Sequence, residues 1–72
     1  MQVQVKLLFH LRKERTDNVN VTDGSDATDL IRQLGIPIEE VGFLGINGRQ
    51  ATLDQQLKAG DIIHIVPFIG GG

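Results

Sequence analysis

The two ends of this chain alternate between apolar and polar residues, and the segment with helical spacing lies between them. Near the N-terminus, apolar residues occupy every second position, which is the period of a strand with one buried face. These residues are Val3, Val5, Leu7 and Phe9. Near the C-terminus, Ile63 and Ile65 are predicted to face the core, with His64 and Val66 on the other side. Such a chain can bury one face of a sheet against a helix.

The helix is predicted at roughly residues 26–35. Ser25 and Asp26 are both candidate N-caps, and Asp29 places an anion in the first turn, where the helix dipole favours it. Gly35 is expected to end the helix. Three- and four-residue spacings predict one apolar face, formed by Ala27, Leu30, Ile31 and Leu34.

The remaining segments are shorter. Val19 and Val21 alternate with polar residues and predict a second strand, whereas the charged stretch Arg12–Asp17 is interpreted as a solvated turn before it. Val41–Ile46 is predicted to form a third strand that ends at the strong turn signal Asn47-Gly48.

A short strand and an irregular turn are expected between residues 49 and 58, held against the core by Leu53 and Leu57. The turn Ala59-Gly60-Asp61 then leads into the last strand. The order strand, strand, helix, strand, short piece, strand predicts an α+β protein. This is the order of the ubiquitin-like β-grasp fold, a mixed four- to five-stranded sheet packed on one main helix.

Size and composition narrow the classes of function. A chain of 72 residues builds one core, and it contains no cysteine for a disulfide, a thiolate nucleophile or a cysteine-rich zinc site. Its net charge of −2 argues against binding to nucleic acid. Because His64 and Pro67 interrupt the longest apolar run and no signal peptide is evident, we expect a cytoplasmic protein without a membrane partner.

Few residues could carry catalysis. No hydroxyl side chain is placed near a histidine by its sequence neighbours, and Glu39-Glu40 suit a charged surface better than an acid/base pair. His10 and His64 fall on solvent-facing positions of adjacent predicted strands, but two ligands without a third favour a polar sheet face over a metal site. We therefore expect neither an enzyme nor a bound metal or cofactor.

The C-terminus carries the most informative feature. The last strand leads through Phe68 and Ile69 into Gly70, Gly71 and Gly72. Glycines without Cβ atoms suit a chain that must enter a narrow tunnel and deliver its terminal carboxylate, although domain termini are also commonly frayed. The predicted organisation is a domain over residues 1–69 and a flexible glycine tail over residues 70–72.

Several motifs resemble the MoaD/ThiS sulfur-carrier family of the ubiquitin-like superfamily, and the resemblance covers essentially the whole chain. The most specific motifs lie in the C-terminal third, and the first strand and the helix are also similar to family members. The matching segments are Val5–Arg12, Asp29–Ile36, Ile46–Gly48, Leu57–Asp61 and Pro67–Gly72.

This resemblance implies that an E1-like adenylyltransferase uses ATP to activate the carboxylate of Gly72. A sulfur donor would convert it to a thiocarboxylate, and the carrier would deliver the sulfur to the molybdopterin synthase large subunit or to thiazole synthase. With one proline and three glycines, the C-terminus departs from the usual ending of the molybdopterin branch. The final residues Phe68-Ile69-Gly70-Gly71-Gly72 resemble thiazole-forming carriers, whereas the longer first hairpin resembles the molybdopterin branch. The pathway therefore stays open.

A docking surface for these partners is predicted on the outer face of the sheet. Leu8, Val66 and Phe68 are apolar at positions that the alternation assigns outward. Isolated exposed apolar residues are normal, but three on adjacent strands near the tail favour a patch. We expect Phe68→Asp to impair activation without unfolding the domain.

Two further functions are compatible with the same residues. A ubiquitin-like protein modifier would be joined to lysines of its targets through Gly72. A passive ubiquitin-like interaction domain would use no tail chemistry, so deletion of Gly71 and Gly72 would leave its function intact. The carrier and the modifier both predict complete loss.

Overall fold

The computed structural model describes residues 1–9 and 13–67, and the side chains of Phe9 and Lys13 are outside the description. Strands, one α-helix and a short 3₁₀ helix make up these residues. In chain order they are β1 (Gln2–Phe9), β2 (Lys13–Asn20), α1 (Ala27–Gln33), the 3₁₀ helix Ile38–Glu40, β3 (Val41–Ile46), β4 (Arg49–Gln50) and β5 (Ile62–Pro67).

The strands form one five-stranded sheet in the order β2-β1-β5-β3-β4. The central strands β1 and β5 are parallel, and the other neighbours are antiparallel. This mixed sheet with one α-helix is the ubiquitin-like β-grasp, as the order of elements predicted. The last strand therefore ends in the middle of the sheet, between β1 and β3.

The core lies between the sheet and α1. Its buried side chains come from alternate positions of β1, β3 and β5, from α1 and from the loops, which confirms the predicted alternation of the first and last strands. They are Val3, Val5, Val21, Ala27, Leu30, Ile31, Leu44, Ile46, Leu57, Ile63 and Ile65.

Side-chain and backbone caps define both ends of α1. Asp26 is the N-cap: its side chain accepts a hydrogen bond from the N–H of Asp29, and the Asp29 carboxylate accepts one from the N–H of Asp26. At the other end, Gly35 has φ of 75°, and its N–H donates to the carbonyl of Arg32. The N–H of Ile36 donates to Ile31, which completes a Schellman motif.

The prediction of a solvated turn over Arg12–Asp17 was wrong where the structure describes it, because β2 already begins at Lys13. Its register with β1 runs from Phe9↔Lys13 to Gln2↔Asn20. Strand pairing requires only backbone groups. Because β2 is an edge strand, its charged side chains can stay in solvent while its backbone forms hydrogen bonds with the backbone of β1.

The two leucines of the segment after β4 have different environments. Leu57 is 4% exposed and belongs to the core, whereas Leu53 is 37% exposed. The Leu53 carbonyl accepts hydrogen bonds from the N–H and the hydroxyl of Thr28, so its backbone is attached to the start of α1 while its side chain faces outward. The prediction that both leucines hold this segment against the core was correct for Leu57 only.

Candidate functional site

The outer face of the sheet, opposite α1, carries an apolar row where β5 ends. The parallel register pairs Lys6 with His64 and continues to Leu7↔Ile65. Because Ile65 is buried against α1, the following residue, Val66, lies on the outer face beside Leu8. Leu8 and Val66 are both half-buried. The structure thus places these two sequence-predicted residues on adjacent strands of one face.

Phe43 extends this row onto β3. It is directly opposite Val66 in the β3–β5 register and is 42% exposed. Its ring lies over Gly45, where an added Cβ would come within 2.9 Å of the ring carbon Cε2. Because Gly45 has no Cβ, the Phe43 ring can pack directly over the backbone of β3 at this position. We call Leu8, Val66 and Phe43 the apolar row.

Sequence reasoning missed Phe43, although a signal for it existed. Leu44 and Ile46 are buried, so strict alternation along β3 directs Phe43 and Gly45 to the opposite face.

Polar residues border the apolar row. Glu14 is opposite Leu8 on β2, and Lys6 and His64 lie side by side one position along the face. Within residues 1–9 and 13–67, no group of three potential metal ligands occurs, so His64 has no ligand set around it there. His10, its suggested partner, lies outside the described residues.

The chain leaves β5 at Pro67, next to the apolar row. Val41 of β3 is opposite Pro67, and a bulge between Val41 and Phe43 shifts the register there. Phe68 and the glycines Gly70, Gly71 and Gly72 lie outside the described residues, as does the boundary between the predicted domain and its tail. Their roles stay predictions.

A concave region that is separate from the apolar row is polar and has a structural role. It is a cleft of about 400 Å³ next to the Asn47-Gly48 turn, with Arg49, Lys58 and Asp61 in its lining. The Asp61 carboxylate accepts hydrogen bonds from the Asn47 side chain and from the N–H of Lys58, both at 2.8 Å. These contacts join the turn to the start of β5. A buried carboxylate with these two partners stabilises the loops and leaves the apolar row as the candidate site.

In the described part of the chain, neither helix has the length and the apolar character needed to cross a membrane.

Comparison with known proteins supports the ubiquitin-like fold. The chain is similar to the crystal structure of SAMP1 from Haloferax volcanii, with a TM-score of 0.75, 22% sequence identity and full coverage of both chains. No curated protein matches the sequence. A model of the family described as Mut7-C ubiquitin matches residues 5–70. The ubiquitin-like resemblance of the MoaD/ThiS type is thereby confirmed, and the chain belongs to the Mut7-C ubiquitin family.

Proposed function

We propose that this protein is a sulfur carrier whose Gly72 carboxylate is activated by an E1-like adenylyltransferase and converted to a thiocarboxylate. The sulfur then goes to a precursor in molybdopterin or thiazole biosynthesis, within molybdopterin synthase or thiazole synthase. The observation that carries the proposal is the position of the apolar row at the end of β5, where the chain continues into the glycine segment. A partner that binds this row holds the glycines next to its own active site.

The central position of β5 supports this function. β5 pairs with β1 on one side and β3 on the other, so the last described residue before the glycine segment is anchored by the sheet. A rigid body then carries a narrow C-terminal segment whose glycines add no side-chain volume. Recognition and delivery are thus divided between the sheet face and the tail.

The chemistry needs only the terminal carboxylate of this chain. One carboxylate oxygen of Gly72 attacks the α-phosphorus of ATP, pyrophosphate leaves, and an acyl-adenylate forms. A hydrosulfide equivalent from the sulfur donor then attacks the acyl carbon and displaces AMP, which yields the thiocarboxylate. The adenylyltransferase and the donor supply the catalytic groups, so the carrier binds no cofactor of its own.

The first test is the intact mass of the protein purified from its own host. A species heavier by the difference between sulfur and oxygen, localised to Gly72, is expected. The same shift should appear when the unmodified protein is incubated with ATP, an activating enzyme and a sulfur donor. No change in mass under both conditions would contradict the proposal, and so would a chain that continues beyond Gly72 in the cell.

Variants separate the carrier from the two other functions. Deletion of Gly71 and Gly72 should abolish the mass shift, whereas a passive interaction domain would keep its function. A search for isopeptide-linked lysines in the same host tests the protein modifier, which shares the adenylate and differs in the final acceptor. Exclusive recovery of lysine conjugates without thiocarboxylate would assign the protein to the modifiers.

A further inference from the structure

The edge of β3 that faces away from β5 is only partly covered. β4 consists of Arg49 and Gln50, and the last bond across this edge joins the Ala51 N–H to the Leu44 carbonyl at 2.8 Å. Beyond Leu44, no strand in the described part of the chain pairs with Val41–Phe43 on that side. Gly42 is exposed and has no partner in the register with either neighbouring strand. This leaves an open edge on one side of β3.

An apolar groove of about 320 Å³ follows this open edge, and Val41, Gly42, Phe43 and Leu53 contribute to its lining. Phe43 and Leu53 are the large apolar side chains that the described residues expose most. The Phe43 ring lies over Gly45, and the Leu53 backbone is attached to the start of α1, because its carbonyl accepts two hydrogen bonds from Thr28.

The charges next to the groove are mostly negative, since three carboxylates outnumber the single cation Arg49, which precedes the lining residue Gln50. Glu39 and Glu40 immediately precede Val41, and Asp54 immediately follows Leu53; all are exposed. No lysine or arginine is among the residues that line the groove. A second copy of this chain would bring the same carboxylates to the edge, so the like charges disfavour pairing between two copies. The complementary partner is a basic one.

We propose that the open edge of β3 binds an extended segment of a partner protein as an added strand. The segment carries an apolar side chain that lies between Phe43 and Leu53, with lysine or arginine beside it to face Glu39, Glu40 and Asp54. Backbone hydrogen bonds to β3 provide affinity, and the groove and the carboxylates select the sequence. This binding uses neither Gly72 nor its activation, so it goes beyond the carrier function.

The groove and the apolar row are different surfaces that share one side chain. Phe43 contributes to both, whereas Leu53 and Gly42 belong to the groove and Leu8 to the apolar row. Variants at Leu53 and at the two glutamates thus test the groove without altering the surface proposed to meet the activating enzyme.

The test is a selection of short peptides displayed as a random library against the full-length protein. We expect enrichment of peptides that combine basic residues with a branched or aromatic residue. In ¹⁵N-HSQC spectra, a selected synthetic peptide should shift amide signals of residues 40–44 and 50–53. A copy N-methylated at alternate residues should lose binding, because it cannot form the strand ladder.

Charge and shape variants complete the test. The double variant Glu39→Lys/Glu40→Lys should weaken binding of the selected peptide by roughly tenfold at low salt, and Leu53→Ser should weaken it independently of salt. The matched control Glu14→Lys changes an exposed acidic residue on β2 and should leave binding unchanged. Failure to enrich any sequence, equal binding to the double variant, or signal shifts confined to β2 would overturn the proposal.

Discussion

The side-chain amide of Asn47 donates a hydrogen bond to the carboxylate of Asp61, with Nδ2 and Oδ1 2.8 Å apart. Asp61 is only 9% exposed, and the Asn47 Oδ1 accepts a second bond from the N–H of Ile62 at 2.9 Å. The turn between β3 and β4 is thereby attached to the first residue of β5. This contact connects the hairpin to the strand that carries the chain to its C-terminus.

Replacement of Asn47 by glycine should lower the free energy of unfolding by about 2 kcal/mol, because the hydrogen bond to the Asp61 carboxylate and the one from Ile62 are lost. Asn47 has φ of 53°, which glycine adopts without strain. Asn47→Ala should cost about 1 kcal/mol more, since alanine disfavours this conformation. Urea denaturation of both variants measures the two effects. A glycine variant as stable as the wild type would contradict the role of the side chain.

The capping box of α1 predicts a second stability difference. Asp26→Ala should cost about 1 kcal/mol, because the Asp29 N–H loses its acceptor. Asp26→Asn is the matched control and should stay close to the wild type, since asparagine is an equally good N-cap. Thermal unfolding followed by circular dichroism distinguishes them. Equal stability of the alanine and asparagine variants would show that the cap contributes little.

The contact between Phe43 and Gly45 can be measured by a double-mutant cycle. Gly45→Ala places a Cβ within 2.9 Å of the aromatic ring, so the ring must move. We expect this substitution to cost more in the wild type than in the Phe43→Ala background, with a coupling energy of about 0.5–1 kcal/mol. A coupling energy of zero would mean that the ring already leaves Gly45 in solution.

The proposed role of the apolar row predicts that Leu8→Lys slows activation. A lysine at this position faces Glu14 across the β1–β2 pair, so the fold should tolerate the charge. We expect ATP–pyrophosphate exchange with the activating enzyme to fall by about tenfold or more. The control Asn18→Lys adds the same charge on the exposed surface of β2, opposite the uncharged Gln4, and should have little effect. Similar rates for both variants would exclude a specific role of Leu8.

Phe68→Asp should likewise impair activation while the circular dichroism spectrum and the melting temperature stay close to those of the wild type. The expected cause is a charge placed in the interface with the activating enzyme, next to the glycines that the enzyme must bind. The measurement is the yield of thiocarboxylate by intact mass. Full conversion of a folded variant would remove Phe68 from the docking surface.

Local sequence signals were sufficient for much of this fold. The alternation from Val3 and at Ile63 predicted strands with the observed buried faces, because period-two patterns reflect side-chain direction directly. Asp26 and Asp29 predicted the start of the helix, and Asn47-Gly48 predicted the turn, since these residues act through hydrogen bonds and backbone angles within a few positions. The order of these elements was enough to predict the β-grasp.

Tertiary structure decided the features that depend on a distant partner. The polar residues from Lys13 onward form a strand only because β1 offers backbone donors and acceptors along its free edge. Hydrogen bonds from Thr28 attach the Leu53 backbone to the start of α1 while its side chain stays exposed. Phe43 joins the apolar row because the sheet brings it opposite Val66. Local composition does not encode such pairings, since each requires that two segments far apart in sequence meet in one register.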